Sequence, residues 1–286
     1  MNNFQTRTLT GAVFAAVMIG GILWNFWSFA LLFISISLWG LWEFYSLMEN
    51  KITTSQKTGG FILAITLLTA CCGKYFFPVH DVFSSISFKL VILIFPFLLI
   101  VRLFNRTDFF TFFSPVLFGI LYVILPFCYL LLSYSSGSYW DSNNNSKIIL
   151  GFFFLIWSND TFAYLTGRAI GKHKLFERIS PKKTWEGTMG GIICTQGIAY
   201  ILTIYPVGYS SYVVNFTELT PIHWHVIALI VSVFGTLGDL VESMFKRSLG
   251  VKDSGNILPG HGGILDRFDA VLLSSPFVVT YLMMIR

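Results

Sequence analysis

Long apolar runs separated by short polar breaks set the pattern of this chain. A membrane-crossing helix needs about 20 mainly apolar residues. Nine runs approach that length: 8–24, 27–48, 59–78, 86–104, 110–133, 148–167, 187–206, 224–245 and 264–284. The first two are divided only by a short turn around Asn25. Backbone polar groups in lipid must be satisfied within their own segment, so each run is expected to be a helix. The predicted fold is therefore all-α, a polytopic integral membrane bundle of about nine helices. The first run is too long, and too closely followed by the second, to read as a cleaved signal peptide. The Ser/Asn/Gly-rich stretch 133–146 reads as an external loop. No internal repeat, low-complexity tract or nucleic-acid motif is evident.

Composition agrees with this pattern. Of 286 residues, 55% are hydrophobic and only 12% charged, and 30 are phenylalanine. Mean hydropathy is +0.70. A disordered chain and an ordinary soluble enzyme are both excluded. The four cysteines, Cys71, Cys72, Cys128 and Cys194, lie in apolar stretches without zinc-ligand spacing, so neither a disulfide scaffold nor a zinc site is expected.

The net charge of +5 is distributed unevenly. If the N-terminus is cytoplasmic, nine spans leave only Lys74, Lys89, Lys147 and Arg286 on the far side, out of 19 lysines and arginines. That asymmetry predicts a cytoplasmic N-terminus. Most of the cytoplasmic charge falls in two loops, 168–186 and 246–267. Attraction to anionic headgroups accounts for scattered basic residues. It leaves unexplained the acidic residues among them.

A charged side chain at span depth costs about 2.5–3.5 kcal/mol on insertion scales, so each is a functional candidate. Glu43 is the main one in the first half, where snorkelling or helix capping is a sufficient alternative. The second half holds more. Asp160 follows Ser158 and Asn159 in an apolar run. Asp239, Glu242, Ser243 and Lys246 are spaced i, i+3, i+4, i+7 and share one helix face, and Asp266 and Asp269 share another. Two carboxylate stripes joined by a basic, glycine-rich loop suggest a site for Mg²⁺ or Mn²⁺, hard cations that take oxygen ligands. Interhelical ion pairs such as Asp239–Lys246 or Asp266–Arg267 are the alternative. The loop 252–263, with Lys252, Asp253, Gly262 and Gly263, can present backbone N–H groups to an anion. In the other loop, Ser180-Pro181 predicts a helix start. Lys182, Lys183 and Thr184 would then lie in its first turn, beside a helix N-terminus suited to phosphate. A basic segment lying on anionic lipid is an equal reading of that loop.

The segment SMFKRSLGVKDSGNILPGHGGILDRFD, residues 243–269, resembles the signature of the phosphatidate cytidylyltransferase (CDP-diacylglycerol synthase) family. The likeness rests on Ser243, Lys246, Arg247, Lys252, Asp253, Pro259, His261, Gly262, Gly263, Asp266, Arg267 and Asp269. The upstream NDTFAYLTGRAIGKHKL and ISPKKTWEGTMGG are also similar. The likeness is strong over roughly 150–286, while the first 150 residues share only hydrophobic spans and a faint EFY at 43–45. The resemblance implies transfer of CMP from CTP to phosphatidic acid, giving CDP-diacylglycerol and pyrophosphate, with Mg²⁺ and room for a second, monovalent or divalent cation. It implies metal ligation by Asp239 and Asp266, and catalytic roles for Lys246, Arg247 and Asp269. It places Asp160, Lys182, Lys183, Thr184, Glu242, Ser243, Lys252, Asp253, His261, Gly262, Gly263 and Arg267 around the substrates. Residues 1–147 are then a helical scaffold and 148–286 the catalytic half. The setting it implies is a bacterial inner membrane with the site facing the cytoplasm, in contact with membrane lipids and without nucleic acid; a homodimer is left open. A transporter of a phosphorylated anion and a CTP-dependent lipid kinase are the competing classes. The DGxxAR pattern of CDP-alcohol phosphotransferases is absent.

Overall fold

The apolar runs fold as helices wherever the structure, a computed structural model, describes them: residues 3–49, 52–76, 115–135, 142–204, 219–255 and 262–285. Three helices come first, α1 (Asn3–Leu23), α2 (Phe26–Leu47) and α3 (Thr54–Phe76). Next, α4 runs as Pro115–Gly119, a π-helical turn Ile120–Ile124, and Leu125–Ser135. The catalytic half expected from sequence then contains α5 (Ser142–Ile170), β1 (Lys174–Phe176), β2 (Ser180–Thr184), α6 (Trp185–Ile204), α7 (Pro221–Ser248) and α8 (Leu265–Met284). These helices match eight of the nine expected runs. The run 86–104 lies outside the described residues, as do 136–141 of the Ser/Asn/Gly stretch.

The chain is an all-α polytopic membrane protein. Six described helices are long and apolar enough to cross a bilayer, and the apolar parts of α1 and α3 are shorter. Large apolar side chains point outward, among them Trp24, Trp27, Leu31, Ile193 and Tyr200. In water these would be costly; in a bilayer they are the contact with lipid and its interface.

Local chemistry sets the element ends. The break between α1 and α2 is a reciprocal cap. Asn25 Oδ1 accepts from Ser28 N (2.9 Å), and Ser28 Oγ accepts from Asn25 N (3.1 Å). The Ser180-Pro181 signal resolves differently from its expected reading. Residues 180–184 pair antiparallel with 174–176, and α6 begins only at Trp185. Thr184 is its cap: Thr184 Oγ1 accepts from Gly187 N at 3.2 Å. Pro181 has no N–H to donate and is tolerated because a strand of a two-stranded ribbon is always an edge. Lys182 and Lys183 therefore lie on a hairpin, not in a helical turn.

Apolar helices in lipid gain little from burying apolar area against one another, so close packing of small residues matters. A methyl at Gly187 would lie 2.8 Å from the Ala163 carbonyl oxygen, and one at Gly191 would lie 3.0 Å from the Ala163 Cβ, so α5 and α6 meet almost backbone to backbone. Gly238 of α7 packs directly on the Asp269 carbonyl of α8. Toward the other half, Phe44 of α2 stacks on Phe245 of α7, centroids 4.9 Å apart. The charged ends of α5, α7 and α8 and the hairpin consequently converge at one end of the bundle.

Candidate active site

A cavity of about 690 Å³ opens where α5, α7, α8 and the hairpin meet. Its walls are both polar and apolar. Asp160, Arg168, Lys182, Lys183, Thr184, Asp239, Asp266, Arg267 and Asp269 make the polar part. Phe14, Ala15, Phe153, Ile156, Trp157, Phe268 and Val271 make the apolar part. One space thus offers ionic ligands and a greasy wall together.

The helical stripe on α7 forms as its spacing predicts. Asp239, Glu242 and Asp269 bring one carboxylate oxygen each to within 4.8 Å of one another. Glu242 is only 1% exposed, and its Oε1 has no hydrogen-bond partner. A buried, unpartnered carboxylate oxygen beside two further carboxylates is a donor set that fits a hard divalent cation. Ser243 Oγ donates to Asp239 Oδ1 at 3.2 Å and so helps fix that side chain.

Asp266 stands in a different arrangement from the one the resemblance implies. Its Oδ1 accepts from Lys246 Nζ at 2.5 Å, and its Oδ2 accepts from the N–H groups of Ser254 and Gly263, both at 2.9 Å. Lys246 Nζ also lies 2.9 Å from Glu242 Oε2. The structure thus groups Asp239 with Glu242 and Asp269, and ties Asp266 to that group through one ammonium. Lys246 thus meets Asp266 and Glu242, while Asp239 meets Lys183.

The hairpin reaches the cluster through Lys183, whose Nζ lies 2.6 Å from Asp239 Oδ2 and donates to the Thr236 carbonyl at 3.4 Å. Lys182 is exposed at the cavity wall. Glu186, on the first turn of α6, accepts from the N–H groups of Lys172 (3.0 Å) and His173 (3.2 Å) and holds the start of the hairpin.

Glycine is required at the loop's return into α8. Gly262 has φ +82°, in the left-handed region, and a methyl there would sit 2.6 Å from Asp266 Oδ2. Gly263 packs against Ser254 Oγ and the Glu43 carboxylate.

Of the other expected residues that are described, Glu242, Ser243, Lys246, Arg247, Lys252, Asp253, Gly262 and Gly263 are not part of the cavity lining. Arg247 is exposed, and its Nη1 donates to the Val251 carbonyl at 3.3 Å. Lys252 and Asp253 are exposed on the loop. His261 lies outside the described residues. Conversely, Arg168 and Asn159 line the cavity without having been singled out. The signal for both was present, because they flank Asp160 in the same motif, Arg168 two helical turns further along the chain.

The pattern of the cytidylyltransferase family matches residues 5–285, and the chain belongs to that family. Among individual relatives, the phosphatidate cytidylyltransferase of Staphylococcus saprophyticus is 44% identical over 164 residues. That of Staphylococcus haemolyticus is 43% identical over 162, and that of Staphylococcus aureus (strain COL) 44% over 162. Each alignment covers 57% of this chain and 56% of the relative, so the likeness spans little more than half of each curated protein.

Proposed function

We propose that the protein is a phosphatidate cytidylyltransferase. The observation that carries this reading is the carboxylate cluster of Asp239, Glu242 and Asp269, with Lys183 and Lys246 paired to it, beside a cavity whose lining includes Asp239, Asp269 and Lys183 together with apolar side chains. Family membership and the named staphylococcal relatives support it.

In this reading an oxygen of the phosphatidic acid phosphate attacks the α-phosphorus of CTP. The bond from that phosphorus to the bridging oxygen breaks, and pyrophosphate leaves with the electron pair. The nucleophile is already anionic, so no strong general base is needed. The protein's work is positioning and charge neutralisation. Lys182, Lys183 and Arg267 bind phosphate oxygens, with Arg168 and Lys246 beside them. Thr184 shapes the hairpin that presents the lysines, and Asp160 borders the same space. Phe14, Phe153, Trp157 and Phe268 hold the start of the acyl chains.

Mg²⁺, when bound, would be held by Asp239 with Glu242 and Asp269, and would supply positive charge against the triphosphate. Asp266, held beside this group by the Lys246 ammonium and by the N–H groups of Ser254 and Gly263, would be available as a further carboxylate next to the ion. The charged end faces the cytoplasm of a bacterial plasma membrane, with the N-terminus on the same side, so that CTP arrives from water and the lipid from the bilayer.

The test is pyrophosphate release by purified protein in detergent with Mg²⁺. Release that requires CTP and phosphatidic acid together is expected. Release that ignores the lipid, or none at all, contradicts the proposal.

A further inference from the structure

The mechanism above makes no use of Glu43, although it is a carboxylate only 1% exposed and far from the signature in sequence. Its partners are informative. Glu43 Oε1 accepts from Ile264 N at 2.9 Å. Its Oε2 accepts from Leu265 N at 3.0 Å and from Ser254 Oγ at 3.1 Å. No lysine, arginine or histidine pairs with it among the described residues. A buried carboxylate without a cation persists when several N–H and O–H donors point at it. Here every named donor comes from the two ends of the signature loop.

The fit is close from both sides. A methyl on Gly255 would come within 2.7 Å of Glu43 Oε1, and Gly263 packs against both oxygens. The loop ends are also pinned by Asp266, whose Oδ2 accepts from Ser254 N and Gly263 N. Two carboxylates therefore clasp the same two strands of backbone, one from the scaffold half and one from the site. Glu43 holds Ile264 and Leu265, which immediately precede Asp266, and Asp266 orients Lys246.

We propose that Glu43 is a positioning residue of the catalytic centre, a latch on α2 that fixes the two ends of the signature loop, at Ser254 and at Ile264–Leu265, and through them the placement of Asp266 and Lys246. The structure assigns to the first half of the chain a part in catalysis and not only in spanning the membrane. This inference rests on the cytidylyltransferase reading for its kinetic consequence. Its structural consequence is independent of that reading.

The decisive variant is Glu43→Gln, which keeps the size but turns an N–H donor toward one of the loop amides. Its partner variant is Ser254→Ala, which removes one donor from the loop side. Amide hydrogen exchange in detergent, without substrates, reads the latch directly. Exchange at residues 263–265 should speed up at least tenfold in Glu43→Gln while the middle of α7 stays protected. Kinetics with CTP, phosphatidic acid and Mg²⁺ read the positioning. The variant should lose at least tenfold in kcat per folded molecule and need several-fold more Mg²⁺ for half-maximal rate, with KM for phosphatidic acid little changed. Adding Ser254→Ala to Glu43→Gln should cost much less than Ser254→Ala alone, because the two act on one clasp. Unchanged exchange at 263–265 would overturn the latch whatever the activity. Faster exchange with unaltered kcat and Mg²⁺ requirement would overturn the positioning role and leave Glu43 as a purely structural cap. Wild-type protein that forms no CDP-lipid would count against the activity alone, since the exchange result is read without it.

Discussion

Lys246 is the most exposing place to perturb the site. Its ammonium sits between Glu242 Oε2 and Asp266 Oδ1, with side-chain exposures of 12% for the lysine and 1% and 13% for its partners. Lys246→Met preserves the length and apolar stem and removes the charge. Two poorly solvated carboxylates then face each other with no cation between them. Removing one partner of a buried ion pair costs about 3–5 kcal/mol. For a chain of this size that corresponds to a fall in melting temperature on the order of 10 °C. The assay is thermal unfolding of detergent-purified protein, scanned at one fixed rate because membrane proteins often unfold irreversibly. Two controls make the origin of the loss clear. Glu242→Gln in the Lys246→Met background should recover at least half of the shift, since one of the stranded charges is gone. Added Mg²⁺ should raise the melting temperature of Lys246→Met more than that of the wild type, because a cation can take over the lost positive charge. A Lys246→Met protein that melts with the wild type, or a double variant whose losses simply add, would refute the picture of an ammonium bridging two carboxylates.

Asp239→Asn and Asp266→Asn should each abolish or nearly abolish formation of CDP-diacylglycerol while the protein still inserts and purifies; near-normal activity with normal Mg²⁺ dependence in either variant would remove that residue from the proposed metal site. Lys182→Gln with Lys183→Gln should lower kcat/KM for CTP at least tenfold, about 1.4 kcal/mol of lost transition-state binding, whereas unchanged kinetics in detergent with weaker membrane affinity would assign the hairpin to the lipid surface. A cysteine at position 140 should react with an impermeant reagent from outside intact cells, and Lys174→Cys only after permeabilisation; the reverse pattern would invert the bundle.

Much of this architecture was legible because bilayer helices announce themselves by length and composition, and because i, i+3, i+4 spacing carries the α7 stripe directly to one face. The hairpin was not, since Ser-Pro is as compatible with an edge strand as with a helix start, and the deciding bond, Gly187 N to Thr184 Oγ1, lies downstream of it. Spacing put Asp266 and Asp269 on one face but could not say which would meet Asp239. That depended on Lys246, which arrives from another helix and takes Asp266 for itself. Lys246 and Arg247 are adjacent in sequence and about 100° apart around a helix, so only one can face the cluster. Glu43 was visible as an expensive residue, but its partners lie up to 222 positions away and only tertiary structure pairs them.

The central claim is nucleotidyl transfer onto a membrane lipid at the α7–α8 carboxylate cluster, and labelled CTP tests it most directly. Two parallel incubations of purified protein with phosphatidic acid and Mg²⁺ suffice, one with CTP labelled at the α-phosphate and one at the γ-phosphate. The account predicts α-label in the lipid phase as CDP-diacylglycerol and γ-label in water as pyrophosphate, with both signals lost in Asp239→Asn. Recovery of γ-label in the lipid, with CDP left in water, would make the protein a CTP-dependent kinase and contradict the account.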